Sequence, residues 1–288
     1  MADGQQKTVL VTGASRGAGL RVCRALAERG FRVYAGVRSP ENARRELGRV
    51  PGVGVVQLDV ADEESIIAAR EELDAAGVTA LHGLVNNAGV IIQGPLELCP
   101  DSELRRGFEV NVFGAARVTQ EFLPLLRAGR GRVLNVTAPT ARIPAPFLGG
   151  ISASKAAFQA LSDAWRVELA HWGIDVVVLE PGAMQTEIFA TADSAAQKAM
   201  TQLPPARRAL YEQQLAAVNA AGAKMKMSDP KILADAAVKA MTANRPKARY
   251  TVGADTRLIG LLARLPLRTR DRLVSGVLGL SKIKPAVG

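Results

Sequence analysis

The 288-residue chain has little of what usually announces chemistry on its own: two cysteines, two histidines and only 4% aromatic side chains. Cys23 and Cys99 fit no metal-ligand or disulfide spacing. That excludes a disulfide-stapled scaffold and a cysteine-built zinc site, and makes a reducing cytoplasm the expected compartment. His82 and His171 sit in no metal or triad pattern and are expected to be structural. No run of about 18 apolar residues suggests a membrane span. The segment from Met1 to Lys7 is polar and lacks the apolar stretch of a signal peptide. Acidic residues are also in deficit, 27 against 37 Lys and Arg, for a net charge of +10. Much of the excess lies between Arg245 and Gly288, where ten basic residues face only Asp255 and Asp271. Such a tail can track nucleic acid or an anionic membrane. It lacks the interleaved aromatics that single-strand binders use, so a solvated surface is expected and no nucleic-acid partner.

What the chain does have is 48% hydrophobic residues, ample for a packed core, arranged as short apolar runs alternating with helical patterns. Strands are expected at Thr8–Val11, Arg32–Val37, Val53–Leu58, Leu81–Asn86, Arg132–Val136, Asp175–Glu180 and Arg249–Val252. Helices are expected at Gly17–Arg29, from Asp62 onward with Glu63 and Glu64 in the first turn, near Asp101–Leu126 and near Ala153–Trp172. Strands apolar on both faces, alternating with helices, indicate a parallel sheet covered on both sides. Right-handed crossovers leave the dinucleotide-binding order as the leading topology. The expectation is one Rossmann-like α/β domain over residues 1–288: a doubly wound parallel sheet of about seven strands.

Two later segments read as additions. Residues 185–228 are rich in Ala and Gln and would lie over the carboxyl ends of the strands, as a mobile lid would. Met225 and Met227 are expected to pack within it. Asp229-Pro230 reads as a cap and first-turn proline opening a helix to about Ala243. Residues 254–288 form a basic amphipathic extension. Three placements for it are open: packed on the fold, roofing the pocket, or touching a membrane surface.

Thr12-Gly13-Ala14-Ser15-Arg16-Gly17-Ala18-Gly19 lies where the first strand turns into the first helix. Glycines there permit a tight turn and let backbone N–H groups approach a pyrophosphate at a helix N-terminus. Arg38 directly follows the second strand, where an acidic side chain would take up a ribose 2′-hydroxyl. Arg16 lies in the glycine turn itself. Two guanidinium groups suit a 2′-phosphate, so NADP(H) is expected over NAD(H). Asp59, after the third strand, is placed to receive the adenine amino group.

Together with Asn86-Asn87-Ala88-Gly89, Asn111 in Val110-Asn111-Val112-Phe113-Gly114, and Pro181-Gly182 with Thr186, this resembles the short-chain dehydrogenase/reductase family over most of the chain. Arg249 to Asp255 and the apolar-basic tail look more like that family's steroid- and retinoid-type members. The resemblance implies an NADP(H)-dependent enzyme acting on a small molecule, commonly as a homodimer or homotetramer built on helices such as Asp101–Leu126 and Ala153–Trp172. It implies cofactor contacts from Gly13, Ser15, Arg16, Gly17, Gly19, Arg38, Asp59, Val60, Asn87, Ala88, Gly89, Lys155, Pro181, Gly182, Met184 and Thr186.

It also implies a tyrosine that exchanges the substrate proton. A lysine four residues later holds the nicotinamide ribose, a serine about thirteen residues before the tyrosine bonds the substrate oxygen, and an asparagine holds a water relay. Lys155 and Asn111 match. In Ile151-Ser152-Ala153-Ser154-Lys155, however, the tyrosine position holds Ile151, and the serine position holds Ala138.

General acid–base help is typically worth about 10²–10⁴-fold, and a lost oxyanion donor costs about 10²–10³-fold. Ordinary ketone reduction is therefore expected to be slow unless Thr137, Thr140 or Lys155 acting through water substitutes. Three readings follow. The protein is an oxidoreductase for an iminium, conjugated enone or quinone-like acceptor, in a pocket lined by Ala138, Pro144, Phe147, Leu148, Ile151 and Met184. It catalyses a non-redox cyclisation, isomerisation or elimination with the nucleotide held structurally. Or it is a nucleotide-binding pseudoenzyme.

Overall fold

The computed structural model describes residues 6–284; residues 1–5 and 285–288, the ends of the expected single domain, lie outside them. Seven parallel strands form one sheet in the order β3-β2-β1-β4-β5-β6-β7. They are β1 (Thr8–Thr12), β2 (Arg32–Val37), β3 (Val53–Gln57), β4 (Gly83–Asn86), β5 (Arg132–Val136), β6 (Asp175–Pro181) and β7 (Arg249–Val252). All five β1 residues and all four of β4 are buried, because helices cover both faces of the sheet. On one face α1 (Gly17–Ala27) and α10 (Lys231–Thr242) bury Val22, Cys23, Leu26, Leu233 and Ala237 against Val9, Val11 and Leu179. On the other, α3 (Glu63–Ala75) and α5 (Ala115–Gly129) bury Ile66, Leu73, Val118 and Phe122 against Leu10, Leu84 and Val133. Burial pushes the Cys23 thiol pKa well up, which fits packing rather than reactivity.

The caps follow the sequence. Asp62 Oδ1 accepts from the Glu64 amide at 3.1 Å, and Asp229 Oδ1 accepts from the Lys231 amide at 2.7 Å, each satisfying a first-turn donor. The remaining helices are α2 (Pro40–Leu47), α4 (Asp101–Phe108), α6 (Gly149–Glu168), α7 (Glu187–Thr201), α8 (Pro205–Ala209), α9 (Glu212–Gly222), α11 (Ala254–Leu262) and α12 (Leu267–Val277).

Two long helices differ from expectation. The helix expected over Asp101–Leu126 is broken into α4 and α5 by a six-residue π-turn segment, Glu109–Gly114. Gly114 there faces Val60 O, where a Cβ would fall at 2.3 Å. The helix expected from Ala153 starts four residues earlier, at Gly149. A Cβ on Gly149 or Gly150 would meet Leu96 or Ile92 at 2.8–2.9 Å, so these glycines serve close packing rather than helix termination.

Candidate active site

The glycine and asparagine turns gather at the carboxyl edge of the sheet, where the strand order reverses between β1 and β4, the usual ligand crevice of such sheets. Gly13 has φ +65°, and a Cβ on it would lie 2.7 Å from Ala88 Cα. A Cβ on Gly19 would lie 2.4 Å from Gly13 O and 2.5 Å from Asn87 Nδ2. Glycine is required at both. Thr12 Oγ1 accepts from the amides of Asn87 and Ala88, each at 3.1 Å, while Asn87 Nδ2 donates to Thr12 O at 3.0 Å and Gly13 O at 3.1 Å. The turn after β4 is thereby clamped to the glycine turn after β1. Ser15 is exposed, and Arg16, at the α1 N-cap, makes no side-chain cap bond. The start of α1 therefore has donors to offer an anion.

The two arginines differ. Arg38 is exposed at the end of β2 and pairs with no carboxylate among the described residues. Arg16, expected to be free for a phosphate, instead meets Glu187 at 2.7 Å across the start of α7. An exposed pair of this kind is worth about 0–1 kcal/mol, so a phosphate can reclaim the guanidinium. Asp59 Oδ1 accepts from the Ala61 amide at 3.0 Å, and Val60 is buried beside the π-turn. Pro181 ends β6, Gly182 N donates to Val252 O at 3.0 Å, and Thr186 packs its methyl group against Gly17.

Beneath the cleft Asn111 points inward from the π-turn. Its Oδ1 accepts from Val90 N at 2.8 Å; its Nδ2 donates to Val90 O at 2.9 Å and to Ser154 Oγ at 3.0 Å. A π-turn inserts a residue and rotates the helix, a common device at functional sites. Ser154 Oγ in turn donates to Ile151 O at 3.0 Å. Sequence reasoning passed over Ser154 and Thr12 as binding groups, although both adjoin motif residues. One turn along α6 from Ile151, Lys155 Nζ is buried and donates to Val136 O at 2.7 Å. A Cβ on Gly89 would lie 3.2 Å from Asn111 Oδ1 and 3.5 Å from Lys155 Nζ. Lys155 and Asn111 thus meet on one small surface. Burial lowers the Lys155 pKa to about 8.

At the tyrosine position Ile151 is 7% exposed, an aliphatic plug rather than a donor. Ala138 is extended at the start of a short turn, Pro139–Ala141. Of the two flanking threonines, Thr137 Oγ1 is buried with Leu179 O at 3.4 Å, whereas Thr140 Oγ1 is buried with no hydrogen-bond partner. An orphan buried hydroxyl is rare and calls for an explanation. The turn is fixed from below by Arg142, which bonds the fully buried Glu180 through Nε at 3.0 Å; Arg249 approaches the same carboxylate at 3.4 Å.

Residues 185–228 are helical and lie over this edge, joined at the root by a bridge between Met184 and Ser228. Phe147, held at φ +64°, meets Tyr211 edge-on at 6.3 Å, and Tyr211 donates to Glu97 at 2.8 Å. Leu148 is partly buried and Pro144 exposed. Met225 and Met227 do not pack as expected: they are 55% and 36% exposed, because α9 buries none of its residues and leaves the segment after it on the surface. Among the described residues no group of His, Cys, Asp and Glu could hold a metal, and no helix is long and apolar enough to cross a membrane.

Comparison with known proteins agrees with this geometry. The chain is 37% identical over 208 residues to 3-amino-tetrahydro-pyrrolizinone reductase of Xenorhabdus hominickii, covering 72% of each chain. It is 34% identical over 285 residues to human retinol dehydrogenase 5, covering 94% of this chain and 88% of that one. Among solved structures, a short chain dehydrogenase from Burkholderia cenocepacia in complex with NADP superposes with a TM-score of 0.71 at 27% identity, over 98% and 99% of the two chains. The family model for short chain dehydrogenases matches residues 7–197, so the chain belongs to the short-chain dehydrogenase family of oxidoreductases.

Proposed function

We propose that the protein is an NADP(H)-dependent oxidoreductase for a bulky apolar small molecule whose hydride acceptor needs little acid: an iminium ion, a conjugated enone or a quinone-like ring. The observation that carries this is the buried Ile151, with Ala138 at the serine position, beside a retained Asn111 and Lys155. The glycine turn, the uncapped start of α1 and the unpaired Arg38 fit a dinucleotide 2′-phosphate, and the NADP-bound relative supports that choice. When bound, the nicotinamide supplies or accepts the hydride.

This chain's residues do the rest. Lys155, with Asn111 behind it, holds the ribose side of the cleft. Asn87, Ala88 and Gly89 wall the nucleotide, and Pro181, Gly182, Met184 and Thr186 close over it. Ile151, Ala138, Phe147 and Leu148 exclude water around the substrate, beneath a lid formed by residues 185–228, whereas the exposed Pro144 adds no enclosed wall.

Reduction of a ketone leaves an alkoxide that must be protonated. Reduction of an iminium yields a neutral amine and needs no proton. An enone spreads its charge. An amino-substituted pyrrolizinone reductase among the relatives supports a nitrogen-bearing acceptor, and the retinol dehydrogenase supports an apolar one. Where some donor is needed, Thr140, whose hydroxyl has no competing hydrogen bond, is preferred over Thr137, and Lys155 titrates close enough to neutrality to act through water.

The test is single-turnover NADPH oxidation against a panel of iminium ions, enones and quinones. Loss of the NADPH signal with an apolar member supports the proposal. Conversion of substrate with the nucleotide unchanged would overturn it in favour of non-redox use, the reading that the two missing hydroxyls also favour. Nucleotide binding without any turnover would mark a pseudoenzyme.

A further inference from the structure

From Leu258 to Lys284 the structure presents an apolar and basic surface that the fold does not use. Leu258, Leu261, Leu267, Leu273 and Val277 are 44–78% exposed. Leu258 and Leu261 are one turn apart on α11, as are Leu273 and Val277 on α12. Among them stand Arg264, Arg268, Arg270, Arg272, Lys282 and Lys284, against Asp271 as the one acid. Only Arg270 pairs with a described carboxylate, Asp271 at 4.0 Å. The two helices adjoin the active-site edge. A Cβ on Gly260 would lie 2.9 Å from Arg142 Nη1, beside the turn that carries Thr140. A Cβ on Gly279 would lie 3.7 Å from Ala217 Cβ on α9. Leu210 and Met225 of the neighbouring segment are likewise more than half exposed.

We infer that α11 and α12 dock the protein on the surface of an anionic lipid bilayer, with the leucines in the headgroup–acyl boundary and the arginines on lipid phosphates. Charge and apolarity together select this occupant. Two copies apposed through the face would bring like charges together. Nucleic acid would match the charge but leave five large aliphatic side chains without a partner. Docking sets the lidded edge against the layer from which an apolar substrate would partition.

The test is flotation of the full chain with phosphatidylcholine vesicles, with and without phosphatidylglycerol, at low and high salt. Binding is expected only with phosphatidylglycerol. Removing three charges (Arg264→Ser, Arg268→Ser, Arg272→Ser) should lower partitioning on the order of 10²-fold. The same charge change on α2 and just after it (Arg44→Ser, Arg45→Ser, Arg49→Ser) should leave most of it. Replacing Leu258, Leu261, Leu273 and Val277 by Ser should abolish the binding that survives high salt. Val277→Ser alone, at the most exposed position, gives a partial loss if the quadruple variant does not fold. The inference is overturned if the unaltered chain ignores anionic vesicles, or if the α2 variant loses as much as the tail variant. It is equally overturned if the serine variants float normally while light scattering shows a lost oligomer, which would make the face a contact between copies.

Discussion

Lys155 offers a quantitative check on the site that does not depend on knowing the substrate. Its ammonium is buried, donates to Val136 O at 2.7 Å and lies 5.8 Å from the Phe158 ring. Desolvation is what lowers its pKa from 10.5 to about 8. That displacement corresponds to about 3 kcal/mol. Below about pH 8 the lysine is charged in both folded and unfolded chains, and the folded state carries the full burial penalty. Between the two values the unfolded chain holds a proton that the folded one does not, so folding stability rises with pH; above 10.5 both are neutral and the gain is complete. Denaturant unfolding of nucleotide-free protein should therefore show wild type gaining about 2–3 kcal/mol on a Lys155→Met variant between roughly pH 7 and pH 10. Comparison with the variant cancels other titrations. A flat or falling difference would refute the reasoning, since the amine would then be solvated and unable to exchange protons near neutrality.

Restoring Ile151→Tyr with Ala138→Ser should raise reduction of a simple ketone on the order of 10²–10⁴-fold, with about 1–3 kcal/mol lost in stability from overpacking a nearly buried position; steady-state kinetics and thermal melts read both. Thr140→Val should leave stability within about 1 kcal/mol, because no hydrogen bond is lost, yet slow turnover of an enone about 10²-fold or more if its hydroxyl serves the substrate oxygen. Arg38→Asp should weaken NADPH relative to NADH by roughly 10–100-fold, as expected for one charge-assisted phosphate contact, measured by fluorescence titration of each nucleotide.

The sheet was legible because its strands are short Val- and Leu-rich runs, buried in the central β1, β4, β5 and β6; β2, β5 and β7 have the expected limits. The glycine turn was legible because Gly13 and Gly19 stand where no Cβ fits. Other features depend on contacts that spacing does not encode. The π-turn around Asn111 sets Gly114 against Val60 O, a contact across more than fifty residues. The early start of α6 brings Gly149 and Gly150 against Leu96 and Ile92, contacts that lie more than fifty residues apart in the chain. Arg16 was recognised as a cation, but its partner Glu187 is 171 residues away. The exposure of Met225 and Met227 goes with an α9 that has only half-buried and exposed residues, whereas their hydrophobicity alone suggested packing. Thr140 and Thr137 were equivalent in sequence, and only the position of Leu179 O separates them.

The most direct test sets a pre-formed cyclic iminium ion and its isosteric ketone against the unaltered protein with NADPH, in single-turnover stopped flow. With a buried isoleucine where a proton donor would stand, the iminium should be reduced at least about 10²-fold faster than the ketone. Equal rates for the two, with the ketone turning over freely, would contradict the account and require an acid elsewhere in the cleft.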